Sequence, residues 1–488
     1  MLLAAVDLGS NSFRLEIAAA EGSHLERQGY WKETVRLAAG LGDDQKLTGR
    51  AIEAACACLA RMNERMRGLA TEQVRAVGTQ TLRQALNSNE FLVEAQAALG
   101  YPIEIIAGRE EARLVFEGCM HSLPQSARRR LVVDIGGASS EVIVGREFSA
   151  EKAESFQVGC VNTTLRYFPD GIIDRNTLKH AIVACAAEFE EAIAQFNSAQ
   201  WDEAFGSSGT IGAVAAILRA QGWTNGTVTA LGLLRLRQAL LEFGEVRRVR
   251  FDGVKNERAE VLVGGVAVLS AVFETFGLHQ MHTAKGALRL GLLHDLLGRR
   301  ESRDLRDATA ERIQERFGVD RAHAEDVARL ALAFYAAIAP EAGEEQRKQL
   351  RWAAQLHEVG TALSRNDYHK HSSYLIQHAD LAGFSTPDQE RVATLALAQR
   401  GNLRKVAAAI ADPDLAHGIL ALRLAVVFCH ARQPVELPRW SLRAGRAIEL
   451  GLDRAWLDEH PLTRHLLEEE AQSWERVGVR FLLTALKV

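Results

Sequence analysis

The stretch AVDLGSNSFRLEIA (residues 5–18) and the stretch VVDIGGASSEVIVG (residues 132–145) share one outline. Each runs apolar into an aspartate, breaks at glycine and small polar residues, and leaves apolar again. With Asp7 set on Asp134, Val6 meets Val133, Leu8 meets Ile135, Gly9 meets Gly136 and Ser12 meets Ser139. Apolar runs bounded by Gly, Ser and Asn read as strand–turn–strand. Two copies in one chain predict two related α/β halves whose turns face each other.

The rest of the chain fits that frame. Strand-like runs lie at residues 3–7, 13–19, 74–79 and 102–108. Helices are predicted over 48–67, with Thr48 as N-cap, and over 88–100, stopped by glycine. This α/β alternation continues to about residue 117, and a second α/β segment spans 118–298. There EAFGSSGTIGAVAAIL (203–218) predicts a strand entering a Gly/Ser/Thr loop and then a helix. RAEVLVGGVAVLSAVFETFG (258–277) predicts one long buried helix. GRRESRDLRDATAER (298–312) reads as a linker, and residues 305–432 as almost wholly helical. Residues 433–488 read as a small α+β tail, with two short strands in 439–452 and a helix over 461–477.

At 488 residues the chain holds about three domains on a prior of roughly 150 residues each. A formal charge of −4 argues against a dedicated nucleic-acid binder and leaves room for an anionic substrate met by local basic patches. Three arginine clusters are candidates for such patches: Arg128 to Arg130; Arg247, Arg248 and Arg250; and Arg299, Arg300 and Arg303. Such runs are also ordinary solvated faces. Six cysteines show neither a CxxC pair nor zinc spacing and read as buried thiols of a reducing compartment. The N-terminus has no basic leader, and the longest uncharged apolar run, Val261–Phe273, is shorter than the ~20 residues of a membrane span. A cytoplasmic location is expected, with no nucleic-acid partner and no membrane span.

Consecutive turn amides form a nest for an anion, and glycine lets the anion approach closely. Ser10, Asn11 and Ser12 in the first turn, and Gly136, Gly137, Ser139 and Ser140 in the second, supply amides and hydroxyls. The aspartates can hold a cation that neutralises phosphate charge. Two such turns across a cleft would clamp a phosphoanhydride from both sides, although one turn alone is also what an ordinary hairpin uses. GSSGT (206–210), with Gly209 and Thr210, stands before a helix N-terminus, where anions bind favourably and where a capped helix start looks the same.

These loops, with GTQTLRQALN (78–87), EEARL (110–114) and LRWAAQLHEVG (350–360), resemble the exopolyphosphatase and guanosine pentaphosphate phosphohydrolase (Ppx/GppA) family. That family lies within the actin, sugar kinase and Hsp70 superfamily. The resemblance runs from the first residues to the tail. It implies an α/β fold: duplicated actin-like (ribonuclease H-like) domains at 1–117 and 118–298, then an all-α HD-like domain at 305–432 and a small α+β domain at 433–488. It also implies that Glu111 orients a water and accepts its proton. Asp134 and Glu141, with Asp7 as their counterpart, become magnesium ligands, with potassium a further candidate cation. Arg83 becomes a phosphate contact beside the three loops. Without the resemblance, Glu110 and Glu111 read as first-turn carboxylates facing a helix dipole, and Arg83 as a surface arginine. The chain departs from the family at Ala138 and Ser140, where glycine and threonine are usual, and at Lys285 and Leu290 in AKGALRLG.

The expected reaction is that of an exopolyphosphatase, releasing terminal phosphate from inorganic polyphosphate. The alternative is hydrolysis of guanosine-5'-triphosphate,3'-diphosphate (pppGpp) to ppGpp. A kinase of the superfamily, needing ATP and an acceptor, and a non-catalytic sensor are further classes. The resemblance also implies a homodimer. The helical region resembles HD-type phosphohydrolases at His323, at His357 with Glu358, and at His371. There a glutamate replaces the paired aspartate, and no aspartate stands near LRLAVVFCHAR. A structural or tethering role is expected of that region rather than chemistry.

Overall fold

The computed structural model describes every residue except 23, 43, 253–255, 301–303, 434–435 and 487–488, and the side chains of 256, 257 and 300 also lie outside the description. The described chain divides into two compact units, Met1–Asp304 and Leu305–Val488.

In the first unit β1 (Leu2–Leu8), β2 (Ser12–Glu21), β3 (His24–Thr34), β4 (Val74–Gly78) and β5 (Ile103–Ile105) form a sheet in the order β3-β2-β1-β4-β5. A second sheet holds β6 (Arg130–Ile135), β7 (Ser140–Arg146), β8 (Ser149–Phe156), β9 (Glu203–Ser207), β10 (Val228–Thr229) and β11 (Gln280–Thr283), in the order β10-β11-β9-β6-β7-β8. The duplication extends to register. Asp7 faces Arg14 across the β1–β2 hairpin, and Asp134 faces Glu141 across β6–β7. Each hairpin's second strand carries an irregularity at the matching place, Ile17/Ala18 and Val144/Gly145. Strands β1 and β6 are central, so Leu3 to Val6 and Leu131 to Val133 are buried on both faces and read as unbroken apolar runs.

Glu111 is carried by the helix Gly108–Ser122, which lies against the helix Leu288–Arg300 at glycine distance. A Cβ on Gly118 would stand 2.1 Å from the Ala287 carbonyl oxygen, and one on Gly291 would stand 1.9 Å from that of Leu114. Asp295 of the second helix accepts hydrogen bonds from Arg75, Arg113 and Arg299, locking the crossing with charge.

The second unit is helical from Leu305–Arg316 to Pro413–Phe428. It then forms a sheet ordered β12-β13-β14 from β12 (Trp440–Ala444), β13 (Ile448–Asp453) and β14 (Phe481–Leu486), with the helix Pro461–Glu475 between the last two strands. Helices and sheet share one core, in which Phe334, Trp352, Leu450 and Trp474 are buried.

Several expectations change. Strand β3 was not foreseen, because HLERQGYWKET is mostly exposed and offers no apolar run. The helix expected over 258–277 is a short turn, Asn256–Ala259, followed by Leu262–Phe276. Thr48 stands at its N-cap without a side-chain capping bond. The linker expected over 298–312 is helix on both sides of residues 301–304. Its charged run is partly interior: Arg306 is buried, pairs with Glu345 and Asp388, and stacks on Trp352. The boundary drawn after residue 117 falls inside the helix Gly108–Ser122. Among the described residues no helix is long and apolar enough to cross a membrane.

Candidate active site

The two hairpin turns have one backbone shape. A Cβ on Gly9 would lie 3.0 Å from the Ser12 carbonyl oxygen, and one on Gly136 would lie 3.1 Å from that of Ser139. In the second turn the Gly136 N–H donates to that Ser139 oxygen at 2.9 Å. The fold sets them face to face, since a Cβ on Gly137 would touch the Cβ atoms of Ser10 and Asn11 at 3.4 Å. Gly159 backs the second turn so closely that a Cβ there would lie 2.6 Å from the Gly137 carbonyl. Ser10 Oγ accepts a hydrogen bond from Thr81 at 2.8 Å, and Ser12 Oγ is buried with no partner among the described residues. Ser139 is also buried. Ser140 is not part of this array, because its hydroxyl donates inward to the Val158 carbonyl at 2.6 Å.

The third loop joins β9 to the helix Ser208–Ala220. Ser208 takes a left-handed conformation (φ 85°), and the buried Thr210 hydroxyl lies at the Cys160 thiol. The guanidinium of Arg258 lies directly over Gly209, where an added Cβ would fall 1.9 Å from its Nη2. Arg258 was invisible to motif reading, since it lies in the run 258–277 that reads as core helix. Arg14 and Arg289 were also missed; they approach Asp7 at 3.7 and 3.5 Å. For Arg14 the signal was present in the hairpin register opposite Asp7.

Adjacent glutamates are sent in opposite directions. Glu110 is held by Arg113 at 2.8 Å, and Arg113 also binds Glu117 and Asp295. Glu111 Oε2 accepts from Arg83 Nη1 at 2.9 Å. The Arg83 guanidinium is itself fixed on the Ile106 carbonyl and on Gln80, and with Glu111 these contacts use all but one of its N–H groups. Glu141 Oε1 accepts from Ser155 at 2.9 Å.

Burial raises the Glu111 carboxyl above its usual range, with Arg83 pulling it down and Asp7 and Asp134 pushing it up. Burial also holds Glu141 well above the usual range, reinforced by Glu111 and Asp134. Asp134 is raised by burial against a hydrogen bond from Ser207 and the pull of Arg14. Four carboxylates thus feel one another in a desolvated cleft, and a hard cation suits such oxygen donors. Among the described residues, only His323, His357 and Glu358 bring three ligand atoms within 4.8 Å of one another. Asp7, Asp134 and Glu141 are the oxygen donors here that could hold a hard cation.

The basic runs are largely neutralised. Arg128 and Arg130 pair with Glu203, Arg129 with Glu151, Arg247 and Arg248 with Glu245, and Arg299 with Asp295. Arg250 bonds the Val249 carbonyl, and Arg303 and the Arg300 side chain lie outside the described residues. In the helical unit His371 does not join His323, His357 and Glu358, whose ligand atoms do converge.

Residues 17–300 match the Ppx/GppA phosphatase family, and residues 305–471 match Ppx/GppA phosphatase, domain III. A guanosine-5'-triphosphate,3'-diphosphate pyrophosphatase of Photobacterium profundum is 35% identical over 482 residues, covering 98% of this chain and 97% of that protein. One of the same name from Vibrio cholerae is 35% identical over 483 residues, at the same coverage. Among solved structures, the Aquifex aeolicus PPX-GPPA enzyme aligns with a TM-score of 0.51 at 25% identity, over 60% of this chain and 99% of that one. An exopolyphosphatase from Cytophaga hutchinsonii aligns with a TM-score of 0.56 at 20% identity, over 61% and 98%.

Proposed function

The chain belongs to the Ppx/GppA phosphatase family, and from that premise we propose that it hydrolyses the terminal 5' phosphoanhydride of guanosine-5'-triphosphate,3'-diphosphate, releasing orthophosphate and the tetraphosphate. One observation carries the choice of substrate. Relatives named for that activity match this chain over nearly its whole length, both units included. The likeness to an exopolyphosphatase covers 61% of the chain at 20% identity and speaks for the fold alone. The order of expectation drawn from the sequence, polyphosphate first, is therefore reversed.

The geometry supports the chemistry as follows. The facing turns at Ser10–Ser12 and Gly136–Ser139, with the loop at Gly209 and Thr210, offer backbone amides, the Thr210 hydroxyl and the Ser12 hydroxyl, which has no partner among the described residues, to phosphate oxygens. Asp7, Asp134 and Glu141 would hold magnesium, which when bound neutralises charge on those oxygens. A water attacks the terminal phosphorus in line with the bridging oxygen; the new P–O bond forms as the anhydride bond breaks, and the leaving diphosphate oxygen takes the electron pair. Glu111 accepts the water's proton, and burial has made its carboxylate more basic than an exposed one. Arg83 is a positioning residue, holding Glu111 at 2.9 Å.

The test is phosphate release from pppGpp beside long-chain polyphosphate, with magnesium present. The proposal expects kcat/KM for pppGpp to lead by at least about tenfold, or roughly 1.4 kcal/mol of transition-state discrimination. A lead for polyphosphate would restore the other substrate, and tight binding without turnover would make the protein a sensor.

A further inference from the structure

We propose that the Leu305–Val488 unit carries a metal site of its own, in which His323, His357 and Glu358 bind one divalent transition-metal ion of the zinc class. Their ligand atoms all lie within 4.8 Å of one another, and the two imidazoles are 5.7 Å apart by centroid at a 45° tilt. Metal-ligating histidines characteristically bond through one nitrogen and anchor the other on a carbonyl or carboxylate. His357 is built that way. It is fully buried just beyond the helix Glu344–Leu356, and its Nδ1 contacts the Ala354 carbonyl at 2.6 Å. Its Nε2 is buried with no partner among the described residues. A buried nitrogen left unpaired is costly, and a metal ion between it and the neighbouring His323 and Glu358 would satisfy it.

The surroundings hold the cluster in place. The His357 carbonyl accepts from Ser372 at 2.7 Å and from Gln399 at 2.6 Å, pinning the backbone that presents both His357 and Glu358. Arg432 donates to Glu358 Oε1, which orients the carboxylate and leaves Oε2 for an ion. His323 stands half-buried in the first turn of the helix Arg321–Ile338, whose start Asp320 caps through the His323 N–H at 3.1 Å.

Two imidazoles and one carboxylate suit zinc and its neighbours, whereas magnesium and calcium favour all-oxygen sets. Three protein ligands leave a coordination position open. It gives onto a cavity of about 640 Å³ that the cluster shares with Arg400, Arg432 and Arg476, so that the open position takes water or an anionic oxygen. None of these residues belongs to the phosphate loops.

The experiment uses tag-free, full-length protein stripped with a chelator, titrated with zinc chloride in a calorimeter, with retained zinc counted after gel filtration. One zinc per chain is expected. His323→Ala and the near-isosteric Glu358→Gln should each weaken binding at least tenfold, and His371→Ala should leave it unchanged. His357→Ala opens a hole in the core, so the first two variants carry the test. Cobalt added in place of zinc should give a visible d–d spectrum that His323→Ala abolishes. Three results would overturn the proposal. Wild-type protein could retain no stoichiometric zinc, or both variants could bind it undiminished. Lastly, zinc could enter Arg432→Ala but not the wild type, which would make the Arg432 guanidinium the cation this pocket was built around.

Discussion

At residue scale, Glu110 and Glu111 differ by one position and one hundred degrees of helix, and their partners separate them completely. Glu111→Gln should lower kcat by at least ~10²-fold with KM within a few-fold, because an amide cannot accept the water's proton; steady-state kinetics on pppGpp decide it. Glu110→Gln should instead leave kcat near wild type and destabilise by roughly 1–3 kcal/mol through its lost bonds to Arg113, read by thermal unfolding. The acid limb of kcat/KM should fall above the ~4.3 of an ordinary glutamate, since burial raises Glu111. Glu141 is raised as well, so its stabilising contribution is present at low pH as the neutral acid and is lost as pH rises through its folded pKa. In chelator, Glu141→Gln should therefore melt roughly 2 °C or more above wild type at pH 8, with the gap closing near pH 4. A variant that melts lower at pH 8 would refute this reading. The sequence distinguished Glu111 from Glu110 only through family resemblance, because neither spacing nor charge tells which of two neighbours has an arginine waiting for it.

At the scale of elements, the repeated hairpin was legible because everything that makes it is local: an apolar strand, a Gly/Ser turn and an apolar return. Strand β3 was not, since it pairs through its backbone and shows water most of its side chains. The helix crossing under Glu111 was equally hidden. Gly118 lies far in sequence from Gly286 and Gly291, and all three acquire meaning only where the backbones touch. Gly118→Ala should force the Glu111 helix away from its neighbour, costing about 1–3 kcal/mol and lowering kcat although residue 118 touches no substrate. Gly212→Ala is the control: a Cβ there meets nothing within 4 Å, so the exchange should stabilise its helix by about 0.5–1 kcal/mol. Equal effects of the two substitutions in calorimetry and kinetics would remove the crossing from the account.

At the scale of the whole molecule, every residue proposed for hydrolysis lies in Met1–Asp304. A solved chain of this family is matched over 99% of its length by 60% of this one, so in that protein the fold forms without a counterpart of the remainder. A chain ending at Asp304 should then release phosphate from pppGpp with kcat within roughly tenfold of full length, about 1.4 kcal/mol of barrier. Folded but inactive protein, judged by circular dichroism beside the assay, would assign chemistry to the second unit. The helical unit itself was legible by period. What misled was the charged run after residue 298, because an arginine paired with two carboxylates and stacked on tryptophan reads, as sequence, like one in solvent.

The hairpin register has one further consequence. Two identical hairpins set face to face would have neither head nor tail, and a linear phosphate chain could lie between them in either sense. The residue opposite each aspartate breaks that equivalence: Arg14 in one half, Glu141 in the other. In the phosphate site proposed above, Arg14 beside Asp7 would favour an anion on one side, whereas Glu141 would need its proton or a cation before an anion could approach on the other. Such a site would be directional, able to tell the free end of a phosphate chain from the end that is tethered to something else.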